Sequence, residues 1–139
     1  MTLLDDIGGD DSLVALVNRF YDLVETLPEG ATLRRLHGRG HGIAHARIEQ
    51  VDFMSGFLGG RQHYRERHGH MDVKLIHAHV PIRALDAENW LAYMDVALRE
   101  EGLAGPHIEK LRAVLRRVAL ILVNDVTDWE ETGTRGIKL

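Results

Sequence analysis

The chain has 139 residues and a formal net charge of −4, with 45% hydrophobic and 27% charged residues. These proportions are ordinary for one globular domain, and the negative charge argues against a nucleic-acid partner, which usually needs a strongly basic face. The sequence has no cysteine, which excludes disulfides, thiolate metal sites and cysteine nucleophiles.

The beginning of the chain gives no sign of targeting or of a membrane. Residues 1–11, MTLLDDIGGDD, are acidic and lack the basic start and apolar run of a signal peptide. No apolar run approaches the ~20 residues that cross a bilayer. We therefore expect a cytoplasmic protein without a membrane partner.

Apolar residues recur at steps of three and four along much of the chain, which is the period of an α-helix with one buried face. Asp10 can cap a first helix that runs to about Leu27, and the sequence PEG at 28–30 breaks it. A second helix is expected over roughly 44–58, where a glycine pair ends it.

The middle of the chain is poorer in helix. Residues 59–72 include three glycines, and the segment 61–71 is polar, basic and irregular. Asp72 can cap a short helix that ends before Pro81. A long irregular connection inside a compact domain indicates that something besides helix packing organises it, and a bound cofactor is one physical candidate.

The last third of the chain returns to a clear helical pattern. Asp86 can cap a helix that Gly102 stops, and Pro106 suits the first turn of a final long helix. The segment after residue 124 has no period. We therefore expect an all-α domain of about five helices, with no sheet.

The nine histidines raise the question of a metal site. His37, His41 and His45 are spaced by four, but glycines between them disfavour the helix that would align them. No H-E-x-x-H motif is present, so a dedicated zinc site is not expected. Five histidines are expected at the solvated surface, namely His41, His45, His63, His68 and His107.

His77 has a different setting from the other histidines. It follows apolar neighbours, Val73 and Ile76, on the short helix expected after Asp72. A histidine on an apolar face is either a core residue with a satisfied hydrogen bond or a metal ligand, and its immediate surroundings leave both readings open.

Several short motifs occur in an order and spacing that resemble the truncated hemoglobins, and their group II in particular. The resemblance covers about residues 3–124, where each motif is weak alone and the order of all of them is specific. The motifs are IGGDDSLVALVNRFYDLV, LRRLH, FMSGFLGG, HYRERHGH, HAHVPI, AENWLAYM and LVN.

This resemblance implies a two-over-two helical globin sandwich around non-covalent haem b, in a single domain spanning 1–139 with an extension at 125–139. The implied iron ligand is His77. His79 lies about 200° further round a helix, so it cannot share the iron face. The family commonly has proline at that position, and His79 is expected to face solvent.

The resemblance also implies a set of residues around the bound gas. They are Tyr21, His37, Gln50 and Trp90 as hydrogen-bonding side chains and Ala46 at the gate position. Each of the four hydrogen-bonding residues also has an alternative role. Tyr21 and Trp90 could be core aromatics, Gln50 a solvated helix residue and His37 a loop residue. It also stays open whether His37 bonds the ligand or coordinates iron.

The haem edge needs cations or hydroxyls for its propionates. Tyr64, Arg67 and Lys74 are the candidates, with His70 as a further one. Ile76 stands where group II proteins often have arginine, which leaves the main propionate anchor open. The remaining residues expected to contact haem are Phe53, Met54 and Ile76.

Several donors aimed at one ligand predict slow release, because a hydrogen bond to a charged acceptor contributes roughly 1.5–3 kcal/mol. Such retention suits nitric oxide dioxygenation or peroxide reduction with an external reductase, rather than oxygen delivery. A non-catalytic gas sensor or store for O2, NO or CO is the alternative, and a non-haem helical binding module is a third. A monomer and a homodimer both remain open.

Overall fold

The computed structural model describes residues 2–31, 33–34, 42–72 and 82–123, and all regular secondary structure within these ranges is helical. The all-α prediction is thereby confirmed. The α-helices are α1 (Leu3–Asp6), α2 (Asp10–Thr26), α3 (Ile43–Phe57), α4 (His63–His68), α5 (Ala84–Glu100) and α6 (Pro106–Ile121), with a 3₁₀ turn at Pro28–Gly30.

The boundaries of α2, α3 and α6 fall within one residue of the positions that the sequence signals predict. Helix α5 begins three residues earlier than expected, with Arg83 instead of Asp86 at the cap position. Its predicted cap, Asp86, lies in the first turn and accepts the backbone N–H of Arg83 at 2.8 Å. Asp86 is 3% exposed and also pairs with the Arg83 guanidinium, so its buried charge is compensated.

The prediction of an irregular segment over 61–71 is wrong for its central part, where α4 forms. Six residues are too few for a helix to be stable by itself. Tyr64 of α4 is buried against Phe53 of α3, with ring centroids 5.4 Å apart, and Gly69 ends the helix at φ 79°. Packing on α3 therefore supplies what the local sequence lacks.

Helix α2 runs through the middle of the core and packs against both α3 and α5, while α6 packs on α5 and α4 on α3. Its inward stripe follows the helical period and is fully buried. The stripe residues with no exposed surface are Leu13, Leu16, Val17, Phe20 and Val24.

Within the described ranges, no helix combines the length and the apolar character that crossing a bilayer requires. The short helix expected after Asp72 and the extension at 125–139 lie outside the residues that the structure describes.

Candidate functional site

Tyr21 lies on α2 with only 1% of its surface exposed. Its ring meets Phe20 edge to face, with centroids 4.8 Å apart and planes at 83°. Burial raises the pKa of the Tyr21 phenol above its usual value, and the nearby Arg47 guanidinium offsets little of this. Tyr21 therefore keeps its proton at physiological pH and can act as a hydrogen-bond donor.

Trp90 reaches the same region from α5. It is half-buried at the edge of the core, and its ring lies 5.1 Å from that of Phe20. Phe20 thus contacts both Tyr21 and Trp90, which are predicted donors on different helices. The sequence marks Phe20 only as a core residue, since its apolar stripe position carries no sign of this bridging contact.

Helix α3 carries Ala46 and Gln50 one turn apart, and therefore on one face. Ala46 is half-buried and packs against the core. Gln50 is half-buried, and its side-chain amide makes no hydrogen bond with any described residue. Gln50 therefore stays a candidate donor to a ligand.

The aromatic residues further along α3 connect it with α4. Phe53 is half-buried and stacks on Phe57 at 6.0 Å, in addition to its contact with Tyr64. Met54 is 1% exposed and belongs to the main core. Met54 is therefore packed against protein side chains, whereas Phe53 retains an exposed part.

Arg67, a predicted propionate partner, is engaged with α3. It pairs with Glu49 at 2.7 Å and with Asp52 at 2.5 Å. His68 is exposed, as predicted, and it also has contacts within the protein: its Nε2 lies 2.8 Å from Glu49 and its ring is 4.3 Å from that of Tyr64. These contacts form a clasp between α3 and α4, which we call the Glu49 clasp.

His70 follows α4 and is half-buried near Tyr64, with ring centroids 6.4 Å apart. Its Nδ1 accepts the backbone N–H of Asp72 at 3.1 Å. In the neutral ring the proton therefore sits on Nε2, which becomes a donor. The hydroxyl of Tyr64 and the imidazole N–H of His70 are both groups that can donate a hydrogen bond to a carboxylate such as a haem propionate.

The other predicted site residues lie outside the described part of the chain, namely His37, Lys74, Ile76 and His77. Among the residues that are described, no three His, Asp or Glu side chains converge as a metal site.

Comparison with known proteins decides the family. Residues 2–124 match the bacterial-like globin family. The chain belongs to this family. It is also 31% identical over 116 residues to the group 2 truncated hemoglobin YjbI of Bacillus subtilis, with 84% of each chain covered, which places it among the group II truncated hemoglobins.

Solved structures of truncated hemoglobins are similar to this chain over most of its length. The group II 2-on-2 hemoglobin of Agrobacterium tumefaciens has a TM-score of 0.81 at 33% identity, with 89% of this chain and 95% of that chain covered. The truncated oxygen-avid haemoglobin of Bacillus subtilis has a TM-score of 0.80 at 30% identity, covering 89% of this chain and 100% of that one. The predicted two-over-two globin fold is thereby confirmed.

Haem b is accordingly the cofactor of this globin, and oxygen is a ligand of it. The described residues fit such a group. Residues 43–53 of α3 include no fully buried side chain, although several of them are apolar. Half-covered apolar side chains on a helix that packs against the one carrying the buried donor Tyr21 suit a flat, largely apolar cofactor. The half-covered apolar residues are Ile43, Ala46, Val51 and Phe53.

Proposed function

We propose that this globin retains oxygen for a redox reaction, either nitric oxide dioxygenation or peroxide reduction, and that His77 is its iron ligand. The haem supplies a ferrous iron that binds diatomic gases and exchanges electrons. The buried Tyr21 phenol carries the proposal, because it is a protonated donor on α2, the central helix.

Two further donors support this reading. Trp90 shares the Phe20 contact with Tyr21, and Gln50 lies on α3, which packs against α2. His37 is a fourth candidate from the resemblance. One hydrogen bond to a charged acceptor contributes roughly 1.5–3 kcal/mol, and about 1.4 kcal/mol changes a rate tenfold. Several donors on one ligand would make its release slow, which is unfavourable for oxygen delivery.

Tyr64 and His70 are the described groups that would hold a haem propionate, with Lys74 as a third candidate. The support is the Nε2 proton of His70, fixed by the bond from Asp72 to Nδ1. Arg67 is a weaker choice than the sequence indicates, because Glu49 and Asp52 already neutralise it. Turnover would consume electrons, and an external reductase is proposed as their source.

The test is to mix the oxygenated protein with nitric oxide in a stopped-flow instrument. We expect conversion to the ferric form much faster than spontaneous oxygen release, one nitrate per haem, and repeated cycles once a reductase is supplied. Conversion limited by oxygen release would contradict the dioxygenase proposal, and hydrogen peroxide is then tried in the same way.

A gas store or sensor without turnover is the second candidate. The same buried donor favours it, since retention serves storage as well as reaction. Failure of both nitric oxide and peroxide to convert the oxygenated protein would select this alternative.

A further inference from the structure

Arg47 of α3 spans the surface of α2 with four hydrogen bonds. Its Nη1 donates to the backbone carbonyl of Asn18 at 3.2 Å and to the Asn18 side-chain Oδ1 at 3.0 Å. Its Nη2 donates to Asp22 at 2.8 Å and to Glu25 at 2.6 Å. The side chain is only 24% exposed, so this arrangement is partly shielded from water.

These three partners occupy one stripe of α2, at steps of four and three residues, and Tyr21 lies within the same turns. The Arg47 guanidinium carbon is 5.8 Å from the centre of the Tyr21 ring. A guanidinium at this distance over an aromatic face is attracted by the ring. Arg47 therefore binds the helix that carries Tyr21, and its guanidinium also lies over the Tyr21 ring.

Arg47 is also the immediate neighbour of Ala46 and lies three residues before Gln50. Ala46 and Gln50, two of the proposed ligand-facing residues, thus lie on the same turns of α3 as Arg47. Tyr21, the third, lies on the turns of α2 that Arg47 binds. All four hydrogen bonds of Arg47 are directed at α2.

We propose that Arg47 is a positioning residue of the gas-binding site, which sets the distance between Tyr21 on α2 and the Ala46–Gln50 face of α3. The inference rests on the proposed function, because this distance matters to a ligand only if Tyr21 donates to it. Arg47 acts through Tyr21 and does not touch the ligand.

This role requires the two terminal nitrogens of the guanidinium group. Two of its nitrogens serve separate acceptors on successive turns of α2, whereas a lysine ammonium is a single point charge and cannot span them all. Arg47→Lys keeps the charge and most of the stem, and Arg47→Met keeps the apolar stem without donors.

The test is a double-mutant cycle with Arg47→Met, Tyr21→Phe and the double variant in the haem-loaded protein. We expect Arg47→Met to speed oxygen dissociation by about threefold to tenfold, which lies within the range for coupled neighbouring side chains. In the Tyr21→Phe background it should change the rate by less than about twofold. The C–O stretch of the carbon monoxide form should broaden or split in Arg47→Met, since Tyr21 then has more than one position.

Arg19→Met is the matched control. Arg19 lies on α2 and, like Arg47, pairs with two carboxylates: Glu101 at 3.1 Å and Glu100 at 3.6 Å, at the far end of α5. Its loss should leave the dissociation rate and the C–O stretch unchanged. Thermal unfolding of each variant separates loss of stability from loss of positioning, and Arg47→Lys replaces Arg47→Met if the latter does not fold.

Two results overturn the inference. One is an Arg47→Met protein whose dissociation rate and C–O stretch equal those of wild type while Tyr21→Phe alters both. The other is an equal effect of Arg47→Met with and without the Tyr21 hydroxyl. If Tyr21→Phe itself changes nothing, the proposed function fails as well, so the two failures are distinguishable.

Discussion

The rings of Phe20 and Trp90 lie 5.1 Å apart, at the contact between α2 and α5. Phe20 has no exposed surface, and its ring also meets that of Tyr21. A fully buried hydrocarbon ring thus fixes the relative positions of two proposed donors. Because protein interiors are close-packed, the geometry of the proposed gas site depends on core packing as well as on polar groups.

The assignment of iron to His77 can be tested by replacing it with alanine. Loss of the proximal imidazole should abolish or shift the Soret band, because no other side chain is expected to face the iron from that side. Added imidazole should restore part of the band, since it can occupy the space that the side chain leaves. Absorption spectra of the ferric and ferrous proteins provide the measurement.

His79→Ala is the control for this replacement, because His79 is only two residues away and is expected to face solvent. Its spectrum should equal that of wild type. A His77→Ala protein with an unaltered Soret band, together with a His79→Ala protein that loses it, would reverse the assignment.

The Glu49 clasp should contribute modestly to stability. Arg67→Met removes both ion pairs of Arg67, which is 44% exposed. We expect the free energy of unfolding to fall by about 0.5–1 kcal/mol, as is usual for partly exposed pairs. Urea unfolding measures this, and Arg61→Met is the control because Arg61 pairs only with the exposed Glu66. A larger loss in Arg61→Met would contradict the clasp.

The same clasp predicts a pH dependence. Burial alone would raise the pKa of Glu49, but Arg67 and His68 outweigh it and hold the pKa below its usual 4.5. The folded state therefore binds the proton less tightly than the unfolded state, and the stabilisation is complete above pH 4.5. It is lost as the pH falls through the lower folded-state pKa. The difference between wild type and Arg67→Met should narrow there, and a difference that widens would be the wrong sign.

Gly30 is a position where any side chain should be costly. It is buried in the turn after α2, and an added Cβ would lie 2.4 Å from the backbone carbonyl oxygen of Val24. Arg34 donates to this same oxygen, so the carbonyl has little freedom to move. Gly30→Ala should destabilise the fold by about 1–3 kcal/mol.

Thermal unfolding against Ala31→Ser checks this prediction. Ala31 is adjacent and exposed, and an exposed substitution of this kind changes stability by about 0.5 kcal/mol or less. Equal melting temperatures for the two variants would show that the turn relaxes around the added methyl group.

Helices α2, α3 and α6 could be predicted from the sequence because their signals are local: apolar periodicity, a glycine pair and a proline in the first turn. Helix α4 could not be predicted in this way. Its six residues give no readable period, and it depends on Tyr64 packing against Phe53 and on Arg67 pairing with Glu49. Such contacts exist only once α3 is in place.

The candidate site likewise has a part that could be predicted from the sequence and a part that could not. The resemblance identified Tyr21, Gln50 and Trp90 as candidates, but it gave no role to Arg47, whose partners are 22–29 residues away along the chain. Arg47 follows the small residue Ala46 on α3, and its partners form an Asn-Asp-Glu stripe on α2. This pattern can be recognised only when the crossing of the two helices is known. Long-range pairing of this kind has no local signature.

Tyr21 is proposed to hold the bound gas, and the oxygen dissociation rate of Tyr21→Phe, compared with that of wild type, measures this role. Removing one strong donor should speed dissociation about tenfold or more. The substitution removes a single hydroxyl and leaves the ring contact with Phe20 in place, so the fold should be retained. A Tyr21→Phe protein that folds, binds haem and releases oxygen at the wild-type rate would show that Tyr21 does not hold the bound gas.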